Sequence, residues 1–214
     1  MITLISQRTR EIGNSKSDCL EQPYVEYLGK FGFDLIPVPN SAQNLDFYFS
    51  LPVERVILTG GGDIGDIISQ ERDKTEKALL DFAIKKRIPV LGICRGMQFM
   101  NFYFGGKLRR INEISNQSHV SVNHDIRISA GELREVIGEQ IKVNSYHNYG
   151  LTEKDLSSKL KLFAKAYDET IEGLYHPQLP MGGIIWHPER ESPDKEANEK
   201  IIKAFLKGEV FWKK

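Results

Sequence analysis

The sequence predicts an α/β fold: a mostly parallel central sheet flanked by helices on both faces, with a smaller strand-rich excursion in the second half. Three observations predict it. Short apolar runs alternate with longer segments of helical periodicity through the first half of the chain. Those runs are apolar enough to be strands covered on both sides, as parallel sheets are. From Lys107 onward the text turns strand-like and the helical pattern thins out.

Each element has its own warrant. Ile2–Ser6 is a short β-rich start. Residues 20–31 set Leu20, Tyr24, Tyr27, Leu28 and Phe31 at helical spacing and stop near Gly32. Residues 33–38 read as a strand closed by Pro39. Arg55–Leu58 is a strand running into Thr59-Gly60-Gly61-Gly62-Asp63. Residues 73–86 form an amphipathic helix with Ala78, Leu79, Phe82 and Ala83 on one face. A strand over 88–93 and a helix over 97–104 follow. Later strands are predicted at 126–128, 140–143, Lys161–Ala166, 173–175 and 183–186, with a final helix over 194–206. No linker-like break interrupts the chain, so residues 1–214 read as one domain.

Composition narrows the function classes. Apolar content of 40% and charged content of 27% are those of an ordinary globular protein. Lys+Arg and Asp+Glu are both 29, a balance that argues against nucleic acid or a membrane surface as partner. No apolar run approaches the roughly 18 residues a membrane helix needs. The N-terminus shows no signal-peptide pattern, so a cytoplasmic location is expected. The two cysteines, Cys19 and Cys94, are too few for a disulfide framework and suit a reducing compartment. No Cys/His cluster has metal-ligand spacing, so neither a metal nor a cofactor is expected. A homo-oligomer is compatible with the sequence.

The chemistry concentrates in Gly92-Ile93-Cys94-Arg95-Gly96. A strand, a tight turn and a helix with Cys94 at the apex make a nucleophile elbow, with sulfur in place of the usual serine oxygen. The elbow lifts the sulfur clear of the sheet and sets it at a helix N-terminus, which favours the thiolate. Gly92 and Gly96 leave room for the sharp turn. A second motif, Trp186-His187-Pro188-Glu189, follows a predicted strand. If the backbone there stays extended, His187 and Glu189 point the same way, and the carboxylate can orient the ring. A lone H-x-E is weak; paired with a cysteine elbow it makes a Cys94, His187, Glu189 constellation.

These motifs resemble the class I glutamine amidotransferase-like fold, and within it the stand-alone γ-glutamyl hydrolase branch, the peptidase C26 type. Arg95 after the nucleophile is common in that branch, where amidotransferases more often have Leu. The glycine loop at 60–62 and the segment Val143-Asn144-Ser145-Tyr146-His147 are similar to further family motifs. The resemblance implies backbone N–H groups of Gly61, Gly62 and Arg95 as an oxyanion hole. It implies that Gln98, Ser145, Tyr146 and His147 bind the glutamyl group. The implied activity is hydrolysis of a γ-glutamyl amide or amidate of a small molecule, through a γ-glutamyl thioester. A nucleotide amidate of the kind used in capsular phosphoramidate assembly is one substrate it admits; a γ-glutamyl polyamine derivative is another. A glutaminase subunit serving a separate partner synthetase is the alternative. A non-catalytic γ-glutamyl binder is a third reading, disfavoured by the intact Cys94, His187 and Glu189. Elsewhere, His119 and His124 read as solvated loop histidines, His176-Pro177 as a turn, and Cys19 as a spectator thiol. Arg8 and Arg10 read as surface salt links, although both could meet an anionic substrate group.

Overall fold

A computed structural model describes residues 1–129 and 131–207. The elements in order are β1 (Ile2–Ser6), β2 (Arg8–Ile12), β3 (Ser15–Cys19), α1 (Gln22–Gly29), β4 (Asp34–Val38), α2 (Asp46–Ser50) and β5 (Arg55–Leu58). Next come α3 (Gln70–Lys86), β6 (Val90–Ile93), α4 (Arg95–Tyr103), β7 (Arg109–Arg110), β8 (Val120–Ile128) and α5 (Gly131–Ile137). The chain continues through β9 (Gln140–Tyr146), β10 (Tyr149–Gly150), β11 (Lys161–Ala166), β12 (Ile171–Tyr175), β13 (Met181–Ile184) and α6 (Lys195–Lys207). No described helix is long and apolar enough to cross a membrane.

Among the described residues, nine strands form one sheet in the order β4-β1-β5-β6-β13-β12-β11-β8-β9. The first five run parallel; from β13 onward every pair is antiparallel. The strand-rich second half is therefore an extension of the parallel sheet rather than a separate layer. Its strands are longer than the apolar text suggested: β8 begins at Val120 and β9 runs to Tyr146. Most of the added positions are polar, and Val120 and Val122 stand alone among them, so no apolar run marks them.

Both faces of the parallel half are covered, as period-two burial requires. Leu4 and Ile5 are neighbours in β1, yet each is buried in a different cluster. Leu4, Val56, Leu58 and Val90 pack with Leu79 and Leu80 of α3 and Met97 and Met100 of α4. Ile5, Ile57, Leu91 and Ile93 pack with Leu28 of α1 and Ile201 and Phe205 of α6. The β2–β3 hairpin and the short helix α5 lie outside the predicted elements.

One consequence of this topology positions the site. Strands β5, β6 and β13 are adjacent and parallel, with β6 in the middle. Their C-terminal ends lie at one edge, where open α/β sheets bind ligands. The glycine loop leaves β5 there, the elbow leaves β6, and the His187 segment leaves β13.

Candidate active site

Cys94 stands between β6 and α4 with φ 54° and ψ −108°. A non-glycine residue holds such a backbone only where its surroundings impose it, at about 1–3 kcal/mol. The glycines show what imposes it. A Cβ on Gly96 would lie 2.2 Å from the Leu58 carbonyl oxygen, and one on Gly92 would lie 2.6 Å from the Gly96 carbonyl carbon. The elbow is thus wedged against the end of β5 with no room for side chains at its shoulders. Helix α4 starts at Arg95, two residues before the predicted start, so the sulfur sits at the helix N-cap. Its first N–H groups lack intrahelical partners, a setting that favours an anion.

His187 lies past the end of β13, buried, and its Nδ1 is 2.6 Å from Glu189 Oε1. The backbone here does not stay extended. The strand ends at Ile184, and a turn closes through the Arg190 N–H donating to the His187 carbonyl at 3.2 Å. The two side chains meet across that turn. Burial alone would lower the His187 pKa. The Cys94 sulfur, by charge and hydrogen bonding, and then Glu189, outweigh burial and hold the ring above its ordinary value. A carboxylate on Nδ1 leaves Nε2 to exchange a proton with sulfur.

Asn144 clamps this segment. Its Oδ1 accepts from the His187 N–H at 2.8 Å, while its Nδ2 donates to the carbonyls of His187 and Glu191, both at 2.8 Å. Nothing in the sequence singled out Asn144 for that task, because its partners come from 43 and 47 positions away.

The glycine loop faces Cys94 across a cleft of about 220 Å³. Gly61 and Gly62 line it with φ of 84° and 77°, values that favour glycine. The Gly60 N–H is already committed to the Tyr24 hydroxyl at 2.9 Å. From beneath, the buried Arg72 guanidinium donates to the carbonyls of Thr59, Gly60 and Gly61. Arg72 is paired with buried Glu76, and Glu76 also pairs with Arg95. Arg95 reaches Asp73 with its other arm. Its buried charge is therefore spent on bracing the loop and the elbow, and its backbone N–H is the group placed at the helix start.

The other residues separate cleanly. Gln98 lines the cleft and donates through Nε2 to the Tyr149 carbonyl at 2.8 Å. Tyr146 and His147 line it as well, with the Tyr146 ring 5.7 Å from the His187 ring. Ser145 does not. Strand alternation turns it inward, where its hydroxyl donates to the His119 carbonyl at 2.8 Å. Arg8 corrects its reading as a surface link: it lines the cleft, and a Cβ on Gly61 would meet its guanidinium at 3.0 Å. Arg190, which the sequence reading missed, lines the cleft as well and shares Glu21 with Arg8. Arg10 is half exposed and reaches Glu21 only at 3.6 Å. Cys19 ends the β2–β3 hairpin away from the cleft, and the His176 ring accepts from the Gln178 and Leu179 N–H groups inside a turn, as expected there. His119 and His124 are not solvated. His119 is buried, and His124 is inside β8 against Glu172. Their carboxylate partners are over forty positions away, so local polarity was a poor guide.

With this geometry in place, comparison with known proteins decides the family. The family model described as Peptidase C26 matches residues 1–189. The chain belongs to the peptidase C26 family. A γ-glutamyl-CDP-amidate hydrolase of Campylobacter jejuni is 30% identical over 185 residues, covering 84% of each chain. Anthranilate synthase component 2 of Azospirillum brasilense is 26% identical over 182 residues, covering 85% of this chain and 87% of its own. In three dimensions, the glutaminase domain of a Trypanosoma brucei CTPS, solved with bound acivicin, aligns with a TM-score of 0.69 at 16% identity. That alignment covers 97% of this chain and 92% of the other, and establishes a shared glutamine amidotransferase-like fold.

Proposed function

We propose that this C26-family chain is a cysteine-dependent hydrolase of a γ-glutamyl amide or amidate of a small molecule. The observation that carries the reading is Cys94, held at φ 54° on the elbow beside a His187 ring that Glu189 orients. In the ion pair, the Cys94 thiolate attacks the δ-carbonyl of the γ-glutamyl group. Backbone N–H groups of Arg95 and of Gly61 or Gly62 receive the developing oxyanion; one such donor contributes about 2.7–4 kcal/mol. The His187 imidazolium gives its proton to the departing nitrogen, and the C–N or P–N linked amine leaves. Water then loses a proton to His187 and attacks the thioester, releasing glutamate and restoring the thiolate. Gln98, Tyr146 and His147 form the wall that would hold the glutamyl end, and Arg8 and Arg190 flank it with positive charge suited to a carboxylate.

The family and the Campylobacter jejuni relative favour hydrolysis, and γ-glutamyl-CDP-amidate is the substrate that relative suggests. A second reading, a glutaminase subunit delivering ammonia to a separate synthetase, is favoured by the likeness to an anthranilate synthase component. Purified protein, assayed alone against glutamine and a panel of γ-glutamyl amides and amidates, separates the two. Fast glutamate release from a bulky amide with poor glutaminase activity is the expected result. Glutaminase activity that appears only with a synthetase partner would move the assignment to the second reading, and no turnover of any of them would sink both.

A further inference from the structure

Outside the Cys94 cleft, four side chains from three segments of the chain converge on a buried point. Glu172 in β12 is fully buried, and its Oε1 accepts no hydrogen bond. That oxygen lies 3.6 Å from His119 Nδ1 and 3.9 Å from His147 Nε2. Those two ring nitrogens are 3.3 Å apart. His124 Nε2 is 3.2 Å from the other carboxylate oxygen, Oε2, and its ring centroid is 4.6 Å from that of His119.

The outer partners decide what the inner atoms offer. His147 Nδ1 is 2.9 Å from the Tyr149 carbonyl oxygen, which can only accept, so the ring proton sits on Nδ1. His119 Nε2 is 2.9 Å from Asp168 Oδ2, and an ionised carboxylate also only accepts, so that ring's proton sits on Nε2. The nitrogens facing each other, His119 Nδ1 and His147 Nε2, are then both lone pairs. Two acceptors at 3.3 Å beside an unpartnered carboxylate oxygen cannot satisfy one another. One cation shared among the three atoms would satisfy all of them at once.

The spacing identifies its class. Nitrogen ligands about 2.0–2.1 Å from a tetrahedral zinc stand about 3.3–3.4 Å from each other. Imidazole with carboxylate suits zinc and its d-block neighbours rather than calcium or magnesium. Metal-bound histidines characteristically donate their other N–H to a carboxylate or a backbone carbonyl, as His119 and His147 do here.

We propose that His119 Nδ1, His147 Nε2 and Glu172 Oε1, with His124 in reach as a fourth ligand, bind one Zn²⁺-class divalent ion. The ion ties β8, β9 and β12 together. It also fixes His147, which lines both the Cys94 cleft and an adjoining polar pocket of about 410 Å³ that His119 shares. The sequence showed no metal-ligand spacing because the ligands lie up to 53 positions apart, brought together by antiparallel pairing across the sheet.

The test uses the full chain, stripped with a chelator and titrated with Zn²⁺ alone. It is run in the wild type and in Cys94→Ser, which removes the competing thiolate. The expected result is one tight equivalent in Cys94→Ser, with Co²⁺ giving a tetrahedral visible spectrum. In that background Glu172→Gln and His119→Gln should lose the equivalent, and Asp168→Asn should weaken it about 10–100-fold. No stoichiometric binding in Cys94→Ser would overturn the proposal; a proton on His119 then joins the two rings. So would unchanged binding in folded Glu172→Gln and His119→Gln. Should either variant fail to fold, X-ray absorption of the loaded Cys94→Ser protein decides: two or more imidazoles around the metal support the site, and none overturns it. None of these readouts depends on turnover.

Discussion

The two halves of the sheet present their polar chemistry in opposite ways. In the parallel half, Cys94, His187 and the glycine loop all project from connections just past the C-terminal ends of β6, β13 and β5. In the antiparallel half, His124, Asn144, Ser145 and Glu172 sit within strands and are buried or half-buried there. A polar residue in a loop announces itself through its neighbours in sequence, whereas one inside a strand is paid for by partners from other strands. The parallel half therefore yields chemistry from local motifs, and the antiparallel half yields it only from the assembled sheet.

The sharpest break of the comparison is at the elbow. Cys94→Ala should leave the fold intact and remove turnover by about a millionfold, the scale on which a nucleophile matters. Glutamate release from the best amide of the panel is the measurement. Substantial residual rate in a folded Cys94→Ala protein would show that the parallel edge is not the reactive one. Next in size, His187→Ala should approach the Cys94→Ala loss, while Glu189→Gln should cost about ten- to a hundredfold less, since it acts through the ring. Steady-state kcat for the two variants checks this, and equal losses would give Glu189 a larger part than orienting His187.

The strands of the parallel half were legible because apolar runs covered on both faces leave little ambiguity, and β1 and β5 fall where they were expected. The elbow was legible because a strand, a glycine-flanked cysteine and a helix must fold locally. The β2–β3 hairpin was missed because Arg8–Ile12 and Ser15–Cys19 are polar and carry little apolar alternation. The turn at 188–189 was missed because the extended and turned backbones both let His187 reach Glu189. The buried roles of His119, Ser145 and Asn144 were invisible for a different reason: each hydrogen-bonds to groups at least 26 positions away.

A third prediction concerns the base on which the loop edge rests. Glu76 is buried and accepts from Ser6, Arg72 and Arg95. Burial pushes its pKa up, but the two guanidinium groups and the Ser6 hydroxyl overcome that and hold it below the ordinary carboxylate value. Glu76→Ala should cost about 3–5 kcal/mol, the scale for removing one partner of a buried ion pair. Because the folded pKa is depressed, the stabilisation is present above the ordinary carboxylate value and is lost as pH falls through the folded one. Urea midpoints of wild type and Glu76→Ala should thus differ most near neutrality and converge in acid. A gap that stayed constant to low pH would mean that the charge of Glu76 contributes nothing to holding the loop.

The smallest effect compares two arginines of one strand. Arg8 and Arg10 both lie in β2 and both approach Glu21, yet only Arg8 lines the cleft and packs over Gly61. Arg10 is half exposed and 3.6 Å from its partner, so solvent screens the pair and Arg10→Ala should change stability by less than about 0.5 kcal/mol. Arg8→Ala removes a partly buried charge from the substrate wall. A charge-assisted hydrogen bond to a substrate carboxylate contributes about 1.5–3 kcal/mol, so kcat/KM should fall at least about tenfold, mainly through KM. Arg10→Ala should leave kcat/KM unchanged. Parallel loss in both variants would mean that β2 acts on the cleft through Glu21 and Arg190, and that Arg8 has no contact of its own with the substrate.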